Sequence, residues 1–218
     1  MNTLEELYGQ SNLQTDYFRK YCDYVSKLLS EVDTESVKKV VDCLLQARKN
    51  NKTIYFAGNG GSASTASHFA QDMGEIGRKI RGKGFRTQSI NDNVSALTAI
   101  SNDYSYDNVF SLQIEYSFDP GDVLVVISAS GNSPNVIKAV NLAKAKGGVT
   151  VGLVGFDDGG RLAHICDHII HIKSKKGEYG PVEDLHLILN HMMVSYLMMA
   201  LQKENAAEGN ARENRHVR

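Results

Sequence analysis

Several marks of specialised protein classes are missing from this 218-residue chain. It has only three cysteines, Cys22, Cys43 and Cys166, an odd number at no metal-like spacing. That excludes a disulfide framework and a cysteine-based metal site, and leaves reduced thiols of a cytoplasmic protein as the expectation. Formal net charge is −1, so no basic excess advertises nucleic acid or an anionic membrane surface. The opening residues, Met1 to Gln10, lack the basic-then-apolar order of a secretory signal. The most apolar late stretch, His191 to Leu201, is too short to span a bilayer. The expected partner is a small molecule.

What is present is a series of short apolar runs, each followed by a helical pattern. Thr53–Ala57, Arg86–Ile90, Val123–Ile127, Val149–Val154 and His168–Ile172 read as strands. Helices are expected over Leu4–Leu29, Thr34–Lys49, Ser62–Ile76, Val94–Ile100, Pro134–Lys146 and Pro181–Lys203. Buried strands alternating with helices mean a parallel sheet covered on both faces. The expected fold is therefore a three-layer, doubly wound α/β domain over residues 34–204. An N-terminal helical segment, residues 1–33, precedes it, and a polar tail, residues 205–218, is expected to be disordered. In such a fold the ligand sits at the carboxyl ends of the strands.

Two of the strand-to-helix turns are rich in glycine and serine. Gly58-Asn59-Gly60-Gly61-Ser62-Ala63-Ser64 follows the first strand, and Ser128-Ala129-Ser130-Gly131-Asn132-Ser133 follows the third. Glycine lets the backbone approach an anion, and helix N-terminal amides and serine hydroxyls then donate to it. The first loop also fits G-x-G-x-x-A, but a dinucleotide site wants an acidic residue at the end of the next strand, and none stands there before Asp92. A small phosphorylated ligand fits better. Turn formation alone is the bland alternative for each loop.

A second set of residues suits chemistry. His68 and Asp72 are four residues apart, on one face of a helix. Glu183 and His191 lie eight apart on the final helix, sharing a broad face about two turns apart along the axis. Two imidazoles and two carboxylates would make an N₂O₂ set suited to zinc or a similar divalent ion. A His-x-x-x-Asp pair taken alone is more often a local hydrogen bond. His186 is read as a core or surface histidine, with a substrate contact or an orienting role left equally open. His164, His168 and His171 flank a strand and read as structural.

The loops, together with His68-Phe69-Ala70, Ala99-Ile100-Ser101-Asn102-Asp103, Gly121-Asp122-Val123-Leu124, Asn135-Val136-Ile137-Lys138-Ala139 and Asp157-Asp158-Gly159-Gly160, resemble the phosphoheptose isomerase family, a branch of the sugar isomerase (SIS) domain fold. The resemblance covers about Asp33 to Leu201. It implies an aldose–ketose isomerase that converts sedoheptulose 7-phosphate to D-glycero-D-manno-heptose 7-phosphate through an enediol, feeding a lipopolysaccharide or capsule. It implies that Ser62, Ser128, Ser130 and Ser133 line the sugar-phosphate site, with Ala129 where a threonine is common. Asn59, Gly60, Gly61, Asn102, Asp103 and Glu183 would contact the rest of the substrate. Zinc would be held by His68, Asp72, Glu183 and His191, and Asp72 and His191 would move protons, with Glu183 the less favoured base. A homotetramer with sites at subunit boundaries is also implied. Two positions depart from the pattern: Asp72 stands where the family has glutamate, and Glu183 where it has glutamine. The competing readings are an isomerase of another sugar phosphate and a non-catalytic binding protein of the same fold, such as a regulator that associates with the replication initiator.

Overall fold

The structure, a computed structural model, describes residues 2–216, with side chains described through residue 207. In chain order the helices are α1 (Thr3–Gly9), α2 (Gln14–Ser30), α3 (Thr34–Lys49), α4 (Gly61–Ile80), α5 (Val94–Asp103), α6 (Ser111–Ile114), α7 (Pro134–Ala145), α8 (Leu162–Ile165) and α9 (Tyr179–His216). The strands are β1 (Thr53–Gly58), β2 (Arg86–Ser89), β3 (Val123–Ser128), β4 (Val149–Val154) and β5 (His168–His171). They form one sheet in the order β2-β1-β3-β4-β5, every neighbouring pair parallel.

Alternate strand residues serve two separate cores, as parallel strands covered on both faces require. Ile54, Phe56, Val123, Val125 and Ile127 face one way, with Leu44 of α3, Phe69 and Met73 of α4, and Leu185 and Leu189 of α9. Tyr55, Ala57, Leu124 and Val126 face the other, with Ile114 of α6, Val136 and Val140 of α7, and Leu162 of α8. The three layers expected from the sequence are present. At the amino ends of the strands the buried Asp122 accepts from the Thr53 N–H at 2.8 Å and the Asp119 N–H at 2.9 Å, which ties the starts of β1 and β3 together.

Two expectations are corrected. The segment read as one N-terminal helix is two. Gly9 closes α1, Ser11 turns its hydroxyl onto the Leu7 carbonyl at 2.7 Å, and α2 begins only after Leu13. Glycine and serine both compete with helix continuation. The tail from Asn205, expected to be disordered, continues α9 as far as His216. No proline follows Pro181 to stop it, and alanine and glutamate are frequent in the stretch after Lys203. Asn205 also donates to the Ile80 carbonyl at 3.2 Å, tying this stretch to the end of α4.

The segment Tyr179–Ala207 of α9 is long and apolar enough, by length and composition, to cross a membrane. Its fully buried stripe of Val182, Leu185, Leu189, Met193, Leu197 and Leu201 belongs to the core beside α4. The two helices run side by side in the same direction, with Gly61 near Glu183 at one end and Ile80 near Asn205 at the other.

The N-terminal helices are pinned to the start of α9. The fully buried Glu178 carboxylate accepts from the Thr3 N–H at 2.6 Å, the Tyr24 hydroxyl at 2.5 Å and the Lys175 N–H at 2.9 Å. Burial, and then this bond to Glu178, push the Tyr24 hydroxyl up to about 12. Replacing Glu178 by alanine strands three donors, and charge-assisted bonds of this kind contribute about 1.5–3 kcal/mol each before relaxation. Glu178→Ala should lower stability in urea by about 3 kcal/mol or more and speed amide exchange at Thr3. A loss below about 1 kcal/mol would show that the carboxylate does not hold the N-terminal helices.

Candidate active site

β1 and β3 are neighbours, with Gly58 beside Ile127, so the two glycine- and serine-rich loops leave the sheet side by side. Strand order runs outward in both directions from this pair, which makes it the switch point where α/β sheets bind ligands. Between the loops lies a cavity of about 130 Å³ lined by Asn59, Ser62, Ser128, Ala129, Ser130 and Ser133, with Tyr179 and Glu183 from the start of α9.

Each loop feeds a helix whose N-cap residue, Gly60 before α4 and Ser133 before α7, makes no side-chain cap bond. Asn2, Asp33 and Asn93 cap α1, α3 and α5, while α2, α6 and α8 also lack a side-chain cap. The first turn of α4 leaves N–H groups available, whereas at α7 Pro134 has no N–H and the Val136 N–H donates to Asn135 Oδ1 at 2.9 Å, so the second loop contributes chiefly its serine hydroxyls to the cavity. No lysine or arginine lines it among the described residues, so an anion there would be held by amides and hydroxyls. Gly60, at φ 57° and ψ −125°, has a backbone conformation that only glycine adopts readily.

Side chains lock the loops to one another. Asn59 and the buried Asn135 exchange amide hydrogen bonds at 2.9 and 3.0 Å, and the Tyr106 hydroxyl donates to Asn59 Oδ1 at 2.9 Å. Asn91 brackets Gly58, accepting from its N–H at 3.1 Å and donating to its carbonyl at 2.8 Å. The turn after β4 supports the second loop: Leu162 N–H donates to the Gly131 carbonyl at 3.0 Å, and Arg161 N–H to Asn132 Oδ1 at 2.9 Å. The packing is close enough that a Cβ on Gly131, which sits at φ 61°, would collide with the Gly159 carbonyl oxygen.

The second grouping lies further along α4 and α9. His68 Nε2 is 3.1 Å from Asp72 Oδ2, His191 Nε2 is 3.3 Å from His68 Nε2, and His191 Nε2 is 3.9 Å from Asp72 Oδ2. With bonds of about 2.0–2.1 Å, two ligands of a tetrahedral zinc stand roughly 3.3 Å apart. The spacing of the two imidazole nitrogens and the N₂O donor set both fit such an ion. The imidazoles are about half exposed, and Asp72 is more sheltered.

This geometry has counterparts among known proteins. The SIS domain family matches residues 17–155, and a second SIS domain description matches residues 112–200. A phosphoheptose isomerase of Helicobacter hepaticus is 40% identical over 161 residues, 73% of this chain and 80% of the relative. One from Aliarcobacter butzleri is 37% identical over 175 residues, 80% of this chain and 89% of the relative. The structure of phosphoheptose isomerase GmhA from Neisseria gonorrhoeae superposes with a TM-score of 0.75 at 32% identity, over 85% of this chain and 98% of that one.

The chain belongs to the phosphoheptose isomerase family. Within this member of the family Ser62, Ser128, Ser130 and Ser133, expected at the phosphate, line one cavity with Asn59 and Ala129, which were expected to contact the substrate. Of the four residues expected to share an ion, three are together. Glu183 stands apart from them: its carboxylate borders the loop cavity, packed so closely on Gly61 that a Cβ there would collide with Oε2. The eight residues between Glu183 and His191 amount to about 12 Å along a helix, which face-sharing alone does not reveal. Burial, and then Asp184, raise the Glu183 pKa. Asn102 and Asp103 do not line the cavity. They are exposed at the end of α5, bonded to each other at 2.8 Å.

His186 is a core residue. It is fully buried, its Nε2 lies 3.3 Å from the Val154 carbonyl, and burial depresses its pKa to about 4. Asn91, Asn135 and Asn190 are site residues that sequence reasoning missed. Asn135 lies within a family-like motif and Asn91 and Asn190 in none, but the role of each depends on a partner distant in sequence.

Two outcomes are expected. Gly131→Ala forces a side chain into left-handed backbone and onto the Gly159 carbonyl, and should cost at least about 1–3 kcal/mol. It should also weaken binding of inorganic phosphate in calorimetry, and unchanged stability and binding would contradict the loop packing. For His186 the folded value of about 4 lies below the usual 6.5, so the unfolded chain binds more protons between these limits. Its stabilising contribution is complete above pH 6.5 and is lost as pH falls toward 4, on the order of 3 kcal/mol. Urea titrations from pH 7 to 4 should show His186→Gln losing less stability than the wild type by that order. Parallel losses would contradict the assignment.

Proposed function

We propose that the protein interconverts sedoheptulose 7-phosphate and D-glycero-D-manno-heptose 7-phosphate. The observation that carries this reading is the pairing, on one helix, of an anion cradle with an imidazole–carboxylate cluster. Ser62 lines the first and His68 belongs to the second, six residues or about 9 Å further along α4. An open-chain seven-carbon sugar phosphate spans a distance of that order. The names of the Helicobacter, Aliarcobacter and Neisseria relatives support the same substrate.

Ser62, Ser128, Ser130 and Ser133, with the amides at the start of α4, hold the phosphate and orient the far end of the sugar. The Asp72 carboxylate takes the proton from C1 of the ketose and returns it to C2 of the enediol. Asp72 is favoured over Glu183 as the base because its carboxylate is the one beside both imidazoles. His191 transfers the proton between the oxygens on C1 and C2. His68, Asp72 and His191 would hold a divalent ion such as zinc, with Glu183 as a further ligand if its side chain turns toward them; the ion would supply polarisation of the carbonyl. Retention of these groups favours an enzyme over a non-catalytic binding protein of the same fold.

We read the working form as a homotetramer. Ile188, Met192, Tyr196 and Met199 leave an exposed apolar stripe on α9 around the half-exposed His191. A second copy of the chain covering this stripe would shield the cluster from water, and Asn102 and Asp103 would serve a neighbouring copy's site. The three cysteines are free, as fits a cytoplasmic protein.

Purified protein given sedoheptulose 7-phosphate should yield an aldose product. Asp72→Asn and His191→Ala should each lower turnover by at least about a hundredfold with the circular dichroism spectrum unchanged. Wild-type turnover in both variants would refute these roles. Protein prepared without chelator should carry a divalent metal, and metal-free protein with full activity would remove the ion from the account.

A further inference from the structure

We propose that Asn190 is a positioning residue that holds the Asp72 carboxylate toward the two imidazoles. The inference rests on the reading of Asp72 as the base.

Asn190 has no exposed surface, and its helix neighbours Leu189 and Met193 belong to the apolar core. Its Nδ2 donates to Asp72 Oδ2 at 3.3 Å. Its Oδ1 has no partner among the described residues. The orientation of the amide follows from charge, because turning it over would set a carbonyl oxygen against a carboxylate oxygen.

A buried amide with half its hydrogen-bonding capacity unmet is a liability to the fold. A leucine of similar shape would pack in this core without that penalty. The amide's one described polar contact is Asp72, so its usefulness lies there. Three groups bear on the same Asp72 oxygen: His68 Nε2 at 3.1 Å, His191 Nε2 at 3.9 Å and Asn190 Nδ2 at 3.3 Å. The imidazoles are half exposed, whereas Asn190 is buried. It is the fixed member of the set, approaching from the core, and it adjoins His191 in sequence, so consecutive α9 residues supply the clamp and the imidazole. Asp72 is one methylene shorter than the glutamate the family resemblance leads one to expect, and a short carboxylate gains most from being held where it is needed.

The test is Asn190→Leu, alone and with Asp72→Glu. The single variant should lose about tenfold in kcat, the effect of one bond to a charged group, with KM within about twofold because the phosphate loops are untouched. Its melting temperature should equal or exceed that of the wild type, a sign opposite to its effect on turnover. Its crystal structure should show the Asp72 carboxylate turned away from His68. In the Asp72→Glu background the same substitution should cost less than about twofold, because the longer side chain reaches without the clamp. Should Asn190→Leu fail to fold, Asn190→Ala carries the same comparison. An unmoved Asp72 with unchanged kcat, or an equal loss in both backgrounds, would overturn the proposal. If the wild type does not turn over sedoheptulose 7-phosphate, the functional reading fails, and the position of Asp72 in the variant crystal alone decides this one.

Discussion

The arrangement depends on unsatisfied backbone amides. β1 and β3 lie side by side and parallel, and each ends in a loop that opens a helix without a side-chain cap. Unused N–H groups at one helix start are ordinary. Here the open start of α4 faces the serine hydroxyls of the second loop across one cavity, which together create a concentrated demand for an acceptor, and a phosphate supplies it. Much of the surrounding detail serves to keep these amides pointed inward. Asn91 grips Gly58, Asn135 grips Asn59, and the turn after β4 presses on Gly131.

From this anchor the chemistry is placed by helix geometry. α4 starts at the cradle and carries His68 and Asp72 away from it, while α9 runs alongside and brings His191 to the same level. The separation between anchor and cluster is therefore set by helical rise, which is rigid. The same pairing leaves Glu183 at the cradle, one end of the substrate path, and His191 at the other.

The layered fold was legible in the sequence because buried parallel strands are short continuous apolar runs, and Val123–Ser128 or Val149–Val154 could be little else. The loops were legible because glycine and serine chemistry is local. His68 and Asp72 could be paired from their spacing on one helix. What periodicity could not supply was the alignment of α4 against α9, so Glu183, expected both as a substrate contact and at the cluster, stands at the cavity. Asn135 and Asn190 were invisible for a related reason, their partners Asn59 and Asp72 lying 76 and 118 residues away. The break after Gly9 and the helical run beyond Asn205 were misjudged because both turn on local propensity rather than on an apolar stripe.

The most direct test of the account is a crystal structure with sedoheptulose 7-phosphate bound to the Asp72→Asn variant. The account predicts the phosphate between the Ser62 and Ser128–Ser133 loops, donated to by amides at the start of α4 and by the loop serine hydroxyls, with C1 and C2 beside His68 and His191. A phosphate bound elsewhere, or a sugar whose reacting carbons lie away from the imidazoles, would contradict it.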